Sequence, residues 1–276
     1  METKNSVESY GTYALTNGKK WLFNIAQKMP KNGLGFKIGL ILRKLVLMNR
    51  LQIIDETQFE LKLRLYPLDN LGDRFLLFMP KYFEYDEFQL MSEYLKPDST
   101  FVDIGGNMGI YSLIAAKYIK ESGNILAFEP NPKMFQRFEL NRAINDFDKT
   151  IKIQQIGIAD KESEFLLVFG HGNLGGASIV HENTEDSLMI KCKLLLDVIN
   201  EQNIKQIDLL KIDIEEAEPL ALNPFFATAP RELFPKIVII ESDDHIDFEK
   251  LGYQPMIAKK TRAGNMIYKL NDKTTL

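Results

Sequence analysis

The residues best suited to chemistry lie in the run Phe101-Val102-Asp103-Ile104-Gly105-Gly106-Asn107-Met108-Gly109. A buried apolar strand ends in an acid, then passes through glycines into a helix that begins near Ile110. Gly105 and Gly109 allow a tight turn and a close backbone approach to a ligand. The helix start offers N–H groups that have no intrahelical acceptor. No G-x-x-x-x-G-K-[ST] phosphate loop occurs in the chain. The dinucleotide pattern G-x-G-x-x-G also fails: counted from Gly105, Asn107 and Ile110 stand where the second and third glycines belong. A carboxylate at Asp103 would repel a pyrophosphate and attract an ammonium or sulfonium. The second strand ends in Phe128-Glu129-Pro130-Asn131. Glu129 follows Gly109 by twenty residues, where a strand-end acid can accept from both hydroxyls of a ribose. An acid–glycine turn and a ribose acid without phosphate machinery suit S-adenosylmethionine, whose adenosine carries an amino acid and a methylsulfonium.

Three motifs together, Val102 to Gly109 (VDIGGNMG), Ala127 to Pro132 (AFEPNP) and Leu210 to Glu218 (LKIDIEEAE), resemble the FkbM family of S-adenosylmethionine-dependent methyltransferases. Gly157 to Asp160 (GIAD), Leu196-Asp197 and Ile237 to Glu241 (IVIIE) add to the resemblance, which covers about residues 80–270. Phe83-Glu84 is similar to the family's aromatic–Glu entry element. The resemblance implies that Glu84 belongs to the cofactor site and that Asp103, Gly105, Asn107 and Gly109 surround the methionine part. It implies Glu129 at the ribose, Pro130 and Asn131 flanking the adenine, and Asp160 accepting from the exocyclic amine. It also implies transfer of a methyl group to an oxygen, as a sugar hydroxyl in a glycan or glycolipid or a hydroxyl of a secondary metabolite. The family usually has Asp-Val-Glu-Gly after its fourth strand, and here Glu216 takes the glycine's place.

Methyl transfer is an in-line displacement, so the enzyme mainly positions the nucleophile and excludes water. An alcohol has a high pKa and gains from a general base. The strand-end candidates are Asp213 and Glu215 after the fourth strand, and Glu241, Asp243 and His245 after the fifth. His171 lies in a glycine-rich segment. His245 is the better placed histidine, and Asp213 is the first choice for shaping the site. Lys211 reads as an inward strand residue or ion-pair partner. Two rival readings stay open: a cofactor-binding scaffold without turnover, and a metal-assisted O-methyltransferase with Asp213 and Glu241 on magnesium.

The elements that must position these residues alternate from residue 100 onward. Strands are expected at 100–105, 124–129, 151–158, 207–213 and 236–242, with helices at 110–120, 132–145, 194–202 and 216–222. Such alternation means a mostly parallel sheet with helices on both faces, and ligands at the carboxyl ends of its strands. Residues 163–170 and 187–193 alternate as a hairpin-like excursion joined by a glycine-rich loop over 171–178. Residues 253–258 and 265–270 form a terminal antiparallel hairpin. The expected fold is therefore α/β, a class I methyltransferase Rossmann-like sheet. Before it, 59–65 and 74–79 read as a hairpin and 86–95 as a helix. The expected division is an N-terminal extension over 1–80 and a methyltransferase domain over 81–276.

The 276 residues carry a net charge of −4, yet residues 19–50 hold eight basic residues and no acid. So acidic a remainder is not expected to bind nucleic acid. One cysteine, Cys192, excludes an internal disulfide framework and a Cys-based metal site, and three histidines (His171, His181, His245) are too scattered for a zinc motif. No metal is expected. The polar residues Met1 to Asn5 are not expected to be a secretion signal, and the expected location is the cytoplasm. The apolar run 38–48 is broken by Arg43 and Lys44 and is too short to span a bilayer. Residues 19–50 read as two short basic amphipathic helices. The expected role is a cap packed on the catalytic domain; the rival is attachment to an anionic membrane surface or a lipid-linked substrate.

Overall fold

A computed structural model describes residues 8–48, 52–82, 85–170, 173–180, 187–261 and 263–271. The basic block forms two helices, α1 (Asn17–Lys28) and α2 (Gly33–Val46). Pro30 separates them, and Asn32 caps α2 by accepting from the Gly35 N–H at 2.8 Å. One side of the pair is a cap: Phe23, Ala26, Gly39 and Val46 are buried. Strands β1 (Ile54–Gln58) and β2 (Leu61–Leu65) follow as an antiparallel hairpin.

The hairpin expected from 59–65 and 74–79 is therefore not formed. Phe59 and Glu60 take left-handed φ angles of 51° and 64° and make a two-residue turn between β1 and β2. Residues 74–78 instead lie in helix α3 (Leu71–Phe78), started by Asn70, whose side chain accepts from the Asp73 N–H. Helix α4 (Tyr85–Tyr94) ends before Pro97, as expected.

The alternating region gives β3 (Thr100–Ile104), α5 (Ile110–Tyr118), β4 (Asn124–Phe128), α6 (Pro132–Ala143) and β5 (Ile151–Gln154). An excursion follows, with β6 (Gly157–Ile158), β7 (Ser163–Gly170), β8 (Asn173–Val180) and β9 (Ser187–Lys193). Helix α7 (Leu195–Glu201), β10 (Leu209–Ile212), α8 (Glu218–Thr228), β11 (Ile237–Ile240), β12 (Tyr253–Pro255) and β13 (Met266–Leu270) complete the chain. Among the described residues, seven strands form the central sheet in the order β12-β13-β11-β10-β3-β4-β5. Strands β11, β10, β3, β4 and β5 are parallel, and β13 runs antiparallel to both its neighbours. The chain runs outward from β3 through β4 to β5, then returns to β10 on the other side of β3. The carboxyl ends of β3 and β10 are thus the switch point of the sheet.

Three boundaries differ from expectation. The strand expected over 151–158 is two, because β6 leaves the central sheet and pairs parallel with β9. The excursion is a separate sheet of order β6-β9-β7-β8, and most of the glycine-rich segment is not loop but its edge strand β8. An edge strand pairs through its backbone and tolerates glycine. Helix α8 starts later and continues to Thr228 past Pro224, because Leu222, Phe225 and Phe226 bury against the sheet and outweigh the lost N–H.

The N-terminal residues share the core of the sheet. Phe23, Val46, Ile54, Leu63, Leu76 and Phe78 belong to the same apolar cluster as Phe101, Leu113 and Ile125. A buried ion pair fastens this part. Arg64 meets Asp55 through two nitrogens, at 2.7 and 2.9 Å, and donates to the carbonyls of Glu8 and Ser9, both at 3.0 Å. Removing one member of such a pair leaves an uncompensated buried charge. Arg64→Ala is expected to lower unfolding free energy by about 3–5 kcal/mol in urea titration. The same variant should expose residues 8–14 to limited proteolysis.

Candidate active site

The turn after β3 is shaped by contacts with the protein itself. Gly105 has φ +79°, and a Cβ there would lie 2.0 Å from the Asp213 carbonyl oxygen. Gly109 has φ +94°, and a Cβ there would lie 2.1 Å from the Phe138 ring of α6. The glycines that read as room for a ligand thus first make room for the end of β10 and for α6. Asn107 holds φ 51°, a left-handed angle, without being glycine. Its N–H donates to Glu129 Oε2 at 2.7 Å, and its side-chain oxygen accepts from Asn70 at 2.8 Å. Asn70 starts α3, so the N-terminal part of the chain holds the turn directly.

Glu129 stands at the end of β4 and is almost fully buried. Its other oxygen accepts from the Asn131 N–H at 2.8 Å. Burial pushes its carboxyl up to about 7, and the two N–H bonds only partly offset this. Asn131 is buried and caps α6 by accepting from the Lys133 N–H, beside half-buried Pro130. Asp103 is wholly buried. Ser112 donates to its Oδ2 at 2.7 Å, and Oδ1 has no partner among the described residues. Burial raises its pKa, against the charge of Lys211.

A second group gathers where β10 and β11 end. The Lys211 ammonium is buried, lies over the Tyr111 ring at 4.9 Å, and reaches both the Gly105 carbonyl and Asp213 at 3.3 Å. Burial opposes ionisation of Asp213, but Lys211 and a hydrogen bond with Glu241 outweigh it and hold the carboxyl below its ordinary value. Glu241 moves the other way, to about 8, through burial and the neighbouring Asp213 charge. The two carboxyls hold one proton between them. Glu215 is half-buried beside them and is raised by burial and by Asp213. Glu218 is buried, accepts from the Ile214 N–H, and leaves Oε2 unpartnered among the described residues. Behind Tyr111, buried Asn265 and Thr261 in the terminal hairpin bond to Glu87 of α4.

The structure thus brings Asp103, Gly105, Asn107, Gly109, Glu129, Pro130 and Asn131 together at the ends of β3 and β4. It sets Asp213, Glu215 and Glu241 beside them at β10 and β11. Asp160 is exposed in the bend that follows β6. Asp243 accepts from the Tyr268 hydroxyl. His245 is exposed on a turn at φ 64°, where its carbonyl accepts from Asn223. Glu84 and His171 lie outside the described residues. Among the described residues, no three His, Cys, Asp or Glu side chains form a metal-holding group. Asn70, Tyr111, Glu87 and Asn265 were not visible as site residues in the sequence; Asn70 is an ordinary turn residue there, and the others are ordinary helix and turn residues.

The residues at β3 and β4 fit a nucleoside that carries an amino acid. A carboxylate fixed by backbone N–H groups can still accept from a vicinal diol, and an orphaned carboxylate oxygen behind the turn favours a cation. The parallel sheet with one antiparallel strand next to its edge, and an acid ending each of β3's and β4's runs, define a class I methyltransferase fold. A model of the Methyltransferase FkbM domain matches residues 103–273, more than half the chain, and the chain belongs to that family. Methyltransferase 1 of Beauveria bassiana is 28% identical over 143 residues, 44% of this chain and 57% of that protein. Methyltransferase sdnD of Sordaria araneosa is 29% identical over 153 residues, 44% of this chain and 59% of that protein. The chain therefore spans under two thirds of the length of these relatives. Methyltransferase FkbM from Methylobacillus flagellatus superposes with a TM-score of 0.44 at 17% identity, over 73% of this chain and 55% of that one.

Glu216, where the family usually has glycine, sits at φ 70°, after Glu215 at φ 54°. The chain keeps the glycine conformation and accepts its cost with a side chain. A left-handed residue costs roughly 1–2 kcal/mol. Glu216→Gly is expected to raise unfolding free energy by about 1 kcal/mol, with Glu216→Ala giving no such gain, in parallel thermal melts.

Proposed function

We propose that the chain transfers the methyl group of S-adenosylmethionine to an oxygen, a hydroxyl of a sugar in a glycan or glycolipid or of a secondary metabolite. When bound, the cofactor supplies an electrophilic methyl on a sulfonium. The observation that carries the reading is the pair of acidic stations at the switch point. Glu129 stands on one side of the β3 turn, and the Asp213–Glu241 pair on the other. Adjacent strands lie about 4.8 Å apart, so Glu129 and Asp213 are separated by roughly two strand spacings. That separation leaves the nucleoside on the β4 side and the acceptor on the β10–β11 side.

Glu129 binds the ribose hydroxyls, and Asn107 and Asn131 keep it aimed. Asn131 and Pro130 border the adenine, and Asp160 accepts from its exocyclic amine. Asp103, behind the turn, favours the positive charge of the methionine part. The Asp213–Glu241 pair would take the proton of the acceptor hydroxyl while its oxygen gains the methyl and the methyl–sulfur bond breaks. Its shared proton gives the base a pKa near neutrality that neither carboxyl alone would have. Lys211 keeps the Asp213 half ionised. This observation favours the carboxyl pair over His245 as the base.

Two measurements test the reading. Hydroxyl donors favour ionised Glu129, so cofactor affinity should rise with pH through about 7. Glu129→Gln should weaken binding by about 1.5–3 kcal/mol and flatten that rise in titration calorimetry. Unchanged affinity would remove the cofactor assignment. With labelled cofactor and a panel of hydroxylated acceptors, methyl transfer should rise with pH through about 8, because the ionised pair is the active form. Glu241→Gln should remove that limb while cofactor affinity stays. An intact pH profile in Glu241→Gln, lost in His245→Ala, would move the base to His245.

A further inference from the structure

The cap formed by α1 and α2 has a second side. Leu34, Ile38, Ile41, Leu45 and Met48 are between 37% and 69% exposed. Their spacing of four, three, four and three residues places them in one line along α2 and the turn after it. That line runs about 21 Å, at 1.5 Å per residue. It faces away from Gly35, Gly39 and Val46, which α2 buries. On the adjoining helix α1, Trp21 is 64% exposed. Isolated exposed apolar side chains are ordinary, whereas a continuous line of five large ones marks a surface that something covers.

The charges around the line say what covers it. The structure divides the eight basic residues of 19–50. Lys28 is exposed at the end of α1, where its carbonyl accepts from Lys81. Lys19 donates to the Met48 carbonyl, Lys20 pairs with Glu56, and Lys31 lies over the Tyr85 ring. Arg43 is half-buried, with its pKa lowered by burial and by Arg74. Arg50 lies outside the described residues. Lys37 and Lys44 are exposed and stand at the edge of the apolar line, with no acidic partner among the described residues. A second copy of this chain on the same line would bring these lysines together, and α2 has no acid to answer them. An anionic bilayer surface answers both features, taking the apolar line into its acyl boundary and the lysines into its headgroups. No helix among the described residues is long and apolar enough to cross a membrane, so the contact is one of lying on the surface.

We propose that α2, with Trp21 of α1, docks the protein on an anionic lipid surface through Leu34, Ile38, Ile41, Leu45 and Met48, flanked by Lys37 and Lys44. The inference is independent of the methyl-transfer reading, since it uses residues outside the site. The side that caps the core stays packed, so docking requires no unfolding.

The test is co-sedimentation of the full chain with large vesicles of phosphatidylcholine alone or with 30 mol% phosphatidylserine, the composition being on the order of that of an anionic cytoplasmic leaflet. Binding to the mixed vesicles, weak on phosphatidylcholine and falling as salt rises through about 0.15 M, is the expected result. Lys37→Gln with Lys44→Gln should lower the partition coefficient about thirtyfold, at about one fivefold factor per lysine. Ile41→Ser with Leu45→Ser should abolish binding. These side chains are exposed, so the thermal melt should stay that of the parent chain. Absence of binding at low salt would overturn the proposal, as would binding that survives Ile41→Ser with Leu45→Ser. A dimer in light scattering that the same double substitution dissolves would assign the line to a second copy and overturn it equally.

Discussion

One buried ammonium organises the electrostatics of this molecule. Lys211 stands in the middle of a strand whose other residues are apolar, is 3% exposed, and has the Tyr111 ring against it. Its charge favours ionisation of Asp103, Glu129, Asp213, Glu215 and Glu218. Without a cation at this depth, so many acids near the switch point would repel one another and protonate together. With it, their protons are distributed unequally: Asp213 gives its proton up readily while Glu241 and Glu129 hold theirs. The differences among these carboxyls, and so the division of labour proposed for them, come from how deeply each is buried and from the charge beside it, Lys211 beside Asp213 and Asp213 beside Glu241.

That arrangement needs the sheet and the N-terminal part together. The sheet places the ends of β3, β4, β10 and β11 side by side. The N-terminal part contributes Asn70, which holds the side chain of Asn107, and Arg137 of α6 reaches back to Asp69 through two hydrogen bonds of 2.8 Å. Asp73, buried in α3 and raised to about 7 by burial, accepts from the Tyr66 N–H and closes the segment that carries Asp69 and Asn70. The turn after β3 is therefore clamped from outside the sheet as well as from within it.

Much of this was legible in the sequence. Apolar runs such as Thr100 to Ile104 and Ile237 to Ile240 are strands because every residue in them is buried, and such runs stand out without any knowledge of partners. Asp103 and Glu129 were visible because an acid inside the end of such a run, or directly after it, has few structural reasons to be there. The hairpin around residue 60 was misplaced because Phe59 and Glu60 carry no glycine or asparagine signal for the left-handed turn they make. The run Leu71 to Phe78 was misread because Asn70 looks the same as a turn residue and as a helix cap. The break between β5 and β6 depends on which sheet each segment joins, which is a matter of tertiary pairing and not of local pattern. Lys211 was recognised as an inward residue, but its service to five carboxyls is a property of distances that no linear spacing encodes.

The contact between Gly105 and the carbonyl of Asp213 bears on how such a protein can diversify. The floor of the proposed cofactor site and the first acid of the proposed acceptor side meet through backbone atoms, with no side chain between them to trim or enlarge. Substitution cannot shift one without displacing the other, so a lineage that recruits new acceptors has little freedom at this junction. Its freedom lies in segments outside that junction, such as the turn after β11 and the separate sheet of β6 to β9. An engineer seeking altered acceptor choice would randomise those segments and leave residues 103–109 and 211–213 as they are.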